Sequence, residues 1–300
     1  MNTEKALKTE SGLSLYHPLV SFGYFVAVIA GTLLFIHPFF VLISLLCAIL
    51  CAALINGKKA LLATLGFGVP MFAFIAVANP LFNHRGATIL FYLFDNPVTK
   101  EAMIYGMVSA GMMFAAVIWF TCYNTVVTSD KFIYIFGRIL PSIALIVSMT
   151  LSLIPRLMAQ VKIIADSQRS IGLDWKSGSI KQRIHSGARI LSILVSWALE
   201  DAVITADSMR ARGYGQHKRS TFSIFRFGKK DAKMLLLIIV LLAAEIFAYV
   251  SGRGTMEFYP AIVVPEIDFI DIIIYISYIA LGLIPAVIQI KEDLKWKRLK

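Results

Sequence analysis

Charge is scarce in this 300-residue chain. Only 16% of its residues are Asp, Glu, Lys or Arg, while 58% are hydrophobic and the mean hydropathy is +0.75. A soluble globular domain carries about 25% charged residues, so the composition excludes that class and points to an integral membrane protein. Cysteine is nearly absent too. Cys47, Cys51 and Cys122 all lie inside apolar runs, where they act as small hydrophobes rather than a disulfide framework. No GxxxxGK[ST] phosphate loop occurs, so the chain has no ATPase signature of its own. His17, His37, His84, His185 and His217 are scattered, with no HExxH and no carboxylate pattern for zinc, so neither a metal nor a bound cofactor is expected. The segment from Met1 to Ser14 lacks the apolar core and small-residue cleavage site of a signal peptide, so the first span is expected to direct insertion. There is no internal repeat and no low-complexity tract.

What the chain does have is long apolar runs and a positive charge of +11. The basic residues flank the runs, as the positive-inside rule requires, so membrane topology accounts for them and no nucleic-acid partner is called for. A bilayer core needs about 20 apolar residues as a helix. Spans are expected over Leu19–Ile36, Phe39–Ile55, Leu61–Ala78, Ala102–Val127, Met234–Val250 and Phe269–Ile290. Asn56-Gly57-Lys58-Lys59 separates the second and third, and the Pro- and Asn-rich loop from Asn79 to Lys100 is expected to break the helix and lie outside. Its apolar patch, Ile89 to Phe94, is too short to span and is expected at the interface or capping the bundle. The tail from Lys291 to Lys300 holds five basic residues against Glu292 and Asp293, so both termini are expected on the cytoplasmic side.

Ile139–Ile154 is apolar and long enough nearly to cross, yet Arg156, Lys162, Arg169, Lys176, Lys181, Arg183 and Arg189 follow it. A segment this basic resists translocation, which places Ile139–Ala206 at or below the inner face as helices packed on one another. The fold class is therefore an all-α integral membrane protein: about six transmembrane helices plus cytoplasmic-side helices. Three regions follow: 1–136 with N-terminal spans, 137–232 as a cytoplasmic helical region, and 233–300 with C-terminal spans and the basic tail.

Two features inside this frame carry candidate function. One is Glu245, an intramembrane carboxylate in the fifth span. Such residues are functional candidates, but this one is also close enough to the helix end to snorkel to the interface. The other is a pair of helix ends. Val195, Leu199, Ala202, Ala206 and Met209 fall at helical spacing and predict an amphipathic helix that Gly213 caps, with Arg210 and Arg212 in the last turn. From Met209 to Lys230 there are seven Lys or Arg and no acid. Upstream, Leu157, Val161, Ile164 and Gln168 mark a second helix ending Arg169-Ser170-Ile171-Gly172. The pair suggests a two-pronged docking surface, and projecting Arg side chains suit carboxylate partners.

At these residues the chain resembles the transmembrane coupling (T) component of energy-coupling factor transporters, the vitamin- and metal-uptake branch of ABC transporters. The resemblance rests on Asn79-Pro80-Leu81-Phe82-Asn83-His84-Arg85-Gly86 with Leu90-Phe91-Tyr92, and on Met209-Arg210-Ala211-Arg212-Gly213-Tyr214. In that family two Ala-Arg-Gly motifs end the coupling helices, and each Arg enters a groove of one of two ABC ATPase subunits. The second motif stands as Ala211, Arg212, Gly213; the first is replaced by Ser170, Ile171, Gly172. Arg169 is one candidate to take over its role, and apolar contact is the other. The resemblance implies a chain that catalyses nothing itself. It would pass ATP-driven motion from the two ATPases, which hold the ATP, to a separate small substrate-binding (S) membrane subunit in the bacterial cytoplasmic membrane. Two competing readings are a stand-alone secondary transporter, which would want facing polar residues at mid-membrane, and an intramembrane lipid-modifying enzyme built on Asp201, Asp207 and His217.

Overall fold

A computed structural model describes residues 12–93, 96–137, 139–173, 179–216, 225–263 and 268–299. The chain divides into two compact units: Met1–Phe132 with Phe225–Lys300, and Ile133–Ile224. Arg138, His217 and the N-terminal charges Glu4, Lys5, Lys8 and Glu10 lie outside the described residues.

The first unit is a bundle of six helices: α1 (Pro18–Leu34), α2 (Pro38–Ile55), α3 (Gly57–Phe82), α4 (Lys100–Val126), α8 (Lys229–Val250) and α9 (Phe269–Leu299). A 3-10 turn, Gly12–Leu15, precedes them. The first two helices start alike, because the sequence repeats His-Pro. Pro18 and Pro38 sit at the first helical position, where the missing N–H costs nothing, and His17 and His37 cap by accepting the N–H of Leu19 and Phe39 through Nδ1, each at 3.3 Å. Burial lowers the pKa of the His37 imidazole, which favours the neutral form this acceptor role needs.

The helix after Gly57 runs further than expected. It passes through Pro70 and Pro80 to Phe82, and Asn83 N–H still reaches Asn79 C=O at 2.9 Å. Proline inside a membrane helix is tolerated where neighbours restore the packing, and here α4 supplies the neighbour. A Cβ on Gly106 would stand 3.1 Å from Ala76 O and 3.4 Å from Pro80 Cδ, so glycine lets the two backbones approach. Within α3, Gly68 sits against Phe114, whereas Gly66 faces open space.

The apolar patch after α3 is a β-hairpin rather than a featureless interfacial segment. β1 (Ile89–Leu93) pairs antiparallel with β2 (Asn96–Thr99), Phe91 opposite Val98. Ile89, Leu90, Phe91 and Tyr92 are all exposed. Thr99 caps α4, and Glu101 in its first turn accepts from Thr88 Oγ1 at 2.6 Å. Asn83 Nδ2 donates to Tyr259 OH at 2.8 Å and Ala87 N–H to Pro260 C=O at 2.9 Å, tying this loop to the one before α9.

The core of the bundle is aromatic. Tyr24, Phe25 and Trp119 are fully buried, and Trp119 Nε1 donates to Ser44 Oγ at 3.1 Å. At the opposite end from the hairpin, Gly12 N–H donates to Gln289 Oε1, His17 N–H to Asp231 Oδ1, and Lys131 Nζ to the carbonyls of Ser14 and Val126. Lys131 belongs to α5 (Ser129–Gly137), which contains the boundary between the units.

The second unit holds two long helices, α6 (Pro141–Ser170) and α7 (Ile180–Ala211), packed on each other and joined by an Arg156–Asp201 pair at 3.8 Å. Ser179 opens α7 with a capping box to Gln182.

Among the described residues, six helices are long and apolar enough to cross a membrane: α2, α3, α4, α6, α8 and α9. The count matches the sequence expectation, but the membership differs. The first expected span is the 17-residue α1, at the lower edge of spanning length, while α6 meets the criterion by length and composition.

Candidate functional site

The two helix ends of the second unit have the same backbone. At the end of α7, Gly213 takes φ +78, its N–H reaches Arg210 C=O at 2.9 Å, and Tyr214 N–H reaches Met209 C=O at 3.1 Å. At the end of α6, Gly172 takes φ +83, its N–H reaches Arg169 C=O at 3.0 Å, and Leu173 N–H reaches Gln168 C=O at 3.0 Å. Both are complete Schellman motifs, which need a residue free to enter the left-handed region just past the helix. The register is identical, so the positions correspond one to one. Arg212 and Ile171 are both C-caps, with φ, ψ of −80°, 4° and −97°, 16°. Ala211 answers to Ser170 and Gly213 to Gly172.

That register places the other arginines. Arg169 is the counterpart of Arg210, not of Arg212, and successive helical residues point about 100° apart. Arg210 lies 3.8 Å from Asp207, both well exposed. Arg212 is exposed and has no ion-pair partner among the described residues. Ile171 is 68% exposed, an unusual setting for a branched apolar side chain at a helix tip.

The faces of the two helices divide differently from the sequence pattern. The α6 face turned inward only in part: Ile164 is buried, with Leu157 and Gln168 half-buried beside it, while Val161 is exposed. The α7 face built on Val195, Leu199, Ala202 and Ala206 is instead exposed, and of that set only Met209 is half-buried. The inward side of α7 runs through Ile190, Leu194, Trp197 and Asp201. The reason is that α7 is apolar on both sides. Periodicity finds an apolar stripe without saying which of two stripes a neighbour will cover.

Glu245 does not snorkel. It is 1% exposed, turned into the bundle, and neither carboxyl oxygen has a hydrogen-bond partner among the described residues. Near it lies a hydroxyl cluster that no sequence pattern flagged: Thr32 Oγ1 is 2.7 Å from Ser44 Oγ and 3.4 Å from Tyr278 OH. Single Ser, Thr and Tyr residues in apolar runs carry no periodic signal, so only tertiary structure brings them together. Among the carboxylates an enzyme would need, Asp201 and Asp207 are each held near an arginine. Among the described residues, no three His, Cys, Asp or Glu side chains form a cluster that could hold a metal.

Helical bundle and apolar spans define a multi-pass membrane protein, and it carries a pair of matched, exposed helix ends. The chain belongs to the CbiQ family, described as cobalt transport protein, which matches residues 17–223. It is similar to proteins named energy-coupling factor transporter transmembrane protein EcfT. The one from Lactobacillus helveticus is 33% identical over 100 residues, 33% of this chain and 36% of that protein. The one from Bacillus subtilis is 33% identical over 106 residues, 35% of this chain and 40% of that protein. A longer match, 28% identical over 198 residues, links 62% of this chain with 71% of the protein from Macrococcus caseolyticus. Against the first relatives the chain spans only 26% to 40% of their length.

Proposed function

We propose that this chain is the transmembrane coupling component of an energy-coupling factor importer. It binds no substrate or cofactor itself and transmits motion from two ATP-hydrolysing subunits to a separate membrane subunit that holds a micronutrient such as a vitamin or metal. The observation that carries this reading is the repeated Schellman end on α6 and α7, which presents one exposed C-cap side chain at each tip. A family match over 17–223 and relatives named as EcfT support it. The region 137–232 serves as the coupling layer between N-terminal and C-terminal spans.

The docking residues are Ala211, Arg212 and Gly213 on one tip and Ser170, Ile171 and Gly172 on the other. Arg212 suits a carboxylate-lined groove, because a guanidinium offers paired donors and is lightly hydrated. Ile171 suits an apolar one. The two ATPases are therefore not interchangeable. The excess of Lys and Arg beside α6 and α7 and in the tail supports a cytoplasmic position for these elements and both termini in a bacterial membrane. On that reading α6 lies along the inner face despite its length, because crossing would carry its basic end outward.

Affinity purification in mild detergent tests the proposal. The tagged chain should bring down two ATPase chains, and Arg212→Glu should remove at least the one held at that tip. Recovery of folded, active transporter with no ATPase attached would overturn it.

A further inference from the structure

Glu245 lies five residues before α8 ends at Val250, roughly 8 Å along the helix axis. Gly31 of α1 makes room for it: a Cβ there would stand 2.6 Å from Glu245 Oε2 and 3.2 Å from Tyr278 Cε2 of α9. The carboxyl thus lies against Gly31, and the edge of the Tyr278 ring closes on the same glycine. Charge that could balance it is missing on every side described. Between Pro18 and Leu34, α1 has no Asp, Glu, Lys or Arg, and His17 sits at its far end. From α9 comes Tyr278, and the residue before it, Ser277, has a buried hydroxyl that also has no partner among the described residues. Asp271 of α9 is held by Arg253 at 3.2 Å, and Arg253 also reaches Asp268 at 3.3 Å, so that arginine is engaged elsewhere. Behind Tyr278, α2 contributes Ser44 and Cys47 and α4 contributes Trp119.

An ionised carboxylate in so apolar a place, without a cation or a donor, costs far more than any fold can carry, and such groups neutralise instead. Even the neutral acid leaves a donor and an acceptor unmade, at about 1–3 kcal/mol. A membrane bundle that keeps such a group buried, rather than a leucine, marks a site. A second feature lies beside it. Ser44, Cys47, Trp119 and Tyr278 line a cavity with room for about one water, next to the Thr32–Ser44–Tyr278 hydroxyl cluster. Polar groups that can accept or pass a proton therefore stand within the same helix layer.

We propose that Glu245 is an intramembrane proton-binding site: the closed bundle holds it as the neutral acid, and opening between α1 and α9 lets water take the proton. The step leaves a carboxylate and a hydronium ion, with no bond broken beyond O–H. Each rearrangement that wets this layer thus releases one proton, and each closure takes one up. The site is independent of what docks at the tips of α6 and α7.

Infrared spectroscopy of the full chain in phospholipid nanodiscs tests it. At neutral pH the wild type should show the carbonyl stretch of a protonated, weakly hydrogen-bonded carboxylic acid. Glu245→Gln should lack that band. A wild-type spectrum without it overturns the proposal. A second measurement needs no variant. Dicyclohexylcarbodiimide, which partitions into membranes, adds to a protonated carboxyl and rearranges to a stable N-acylurea. Mass mapping should find the adduct on Glu245 at neutral pH, diminished severalfold in strong alkali, and not on the ion-paired Asp271. An adduct yield on Glu245 that is nil, or no higher than on Asp271, contradicts the assignment.

Discussion

The two units of this chain solve the burial problem in opposite ways. The bundle encloses Tyr24, Phe25, Phe35, Phe40 and Trp119 completely. The pair α6 and α7, longer than most of the bundle helices, buries only Ile164 and Ile190 among its described residues. Leu199, Val203 and Ile204 on α7 are each at least 60% exposed, as are Met158 and Ile171 on α6 and beyond its end. A helix pair so thinly packed against itself derives its order from what covers it. The bundle covers its apolar core with its own helices; the helix pair leaves most of its apolar side chains uncovered.

Substitutions can break or sharpen that contrast. The largest effect falls in the bundle. Trp119→Ala removes a fully buried ring and its Nε1 hydrogen bond to Ser44, and should cost about 3–5 kcal/mol in a reversible unfolding assay, against less than about 0.5 kcal/mol for Leu199→Ala. Equal losses would mean α7 is better packed than its exposure shows. Next comes the close approach of α3 and α4. Gly106→Val must displace Ala76 C=O and should cost about 1–3 kcal/mol by the same assay. The matched tips give a finer test, because register equates Arg169 with Arg210 rather than Arg212. Arg169→Ala should leave ATPase copurification unchanged, whereas Ile171→Arg should alter it; the reverse order would show that Arg169 takes the place of the missing motif arginine. Smallest is Asp207→Ala. Its 3.8 Å pair with Arg210 is exposed on both sides, so thermal stability should move by less than about 1 kcal/mol.

Much of the bundle was readable because its signals are long. Runs of about 20 apolar residues need no tertiary knowledge, and the His-Pro pairs announce where α1 and α2 begin. Proline misled at Pro80, since the rule that it ends helices assumes an aqueous setting, and α4 pressed against Gly106 removes that assumption. Ile89 to Tyr92 read as an apolar patch because a strand exposed on both faces shows no alternation. The C-cap glycines were legible as isolated residues, but their equivalence was not. It takes the paired hydrogen bonds at Gly172 and Gly213 to show that Ile171 stands where Arg212 stands. Glu245 is the clearest limit: its position along the helix is in the sequence, and the side it faces is not.

Two equivalent tips carry unlike side chains, and copurification reads out that difference most directly. Tagged wild type, Arg212→Glu and Ile171→Glu would be purified in mild detergent and the bound ATPase chains identified by mass spectrometry. Two different ATPases are expected on the wild type, with Arg212→Glu depleting one and Ile171→Glu depleting the other. Full retention of both ATPases by both variants would contradict it.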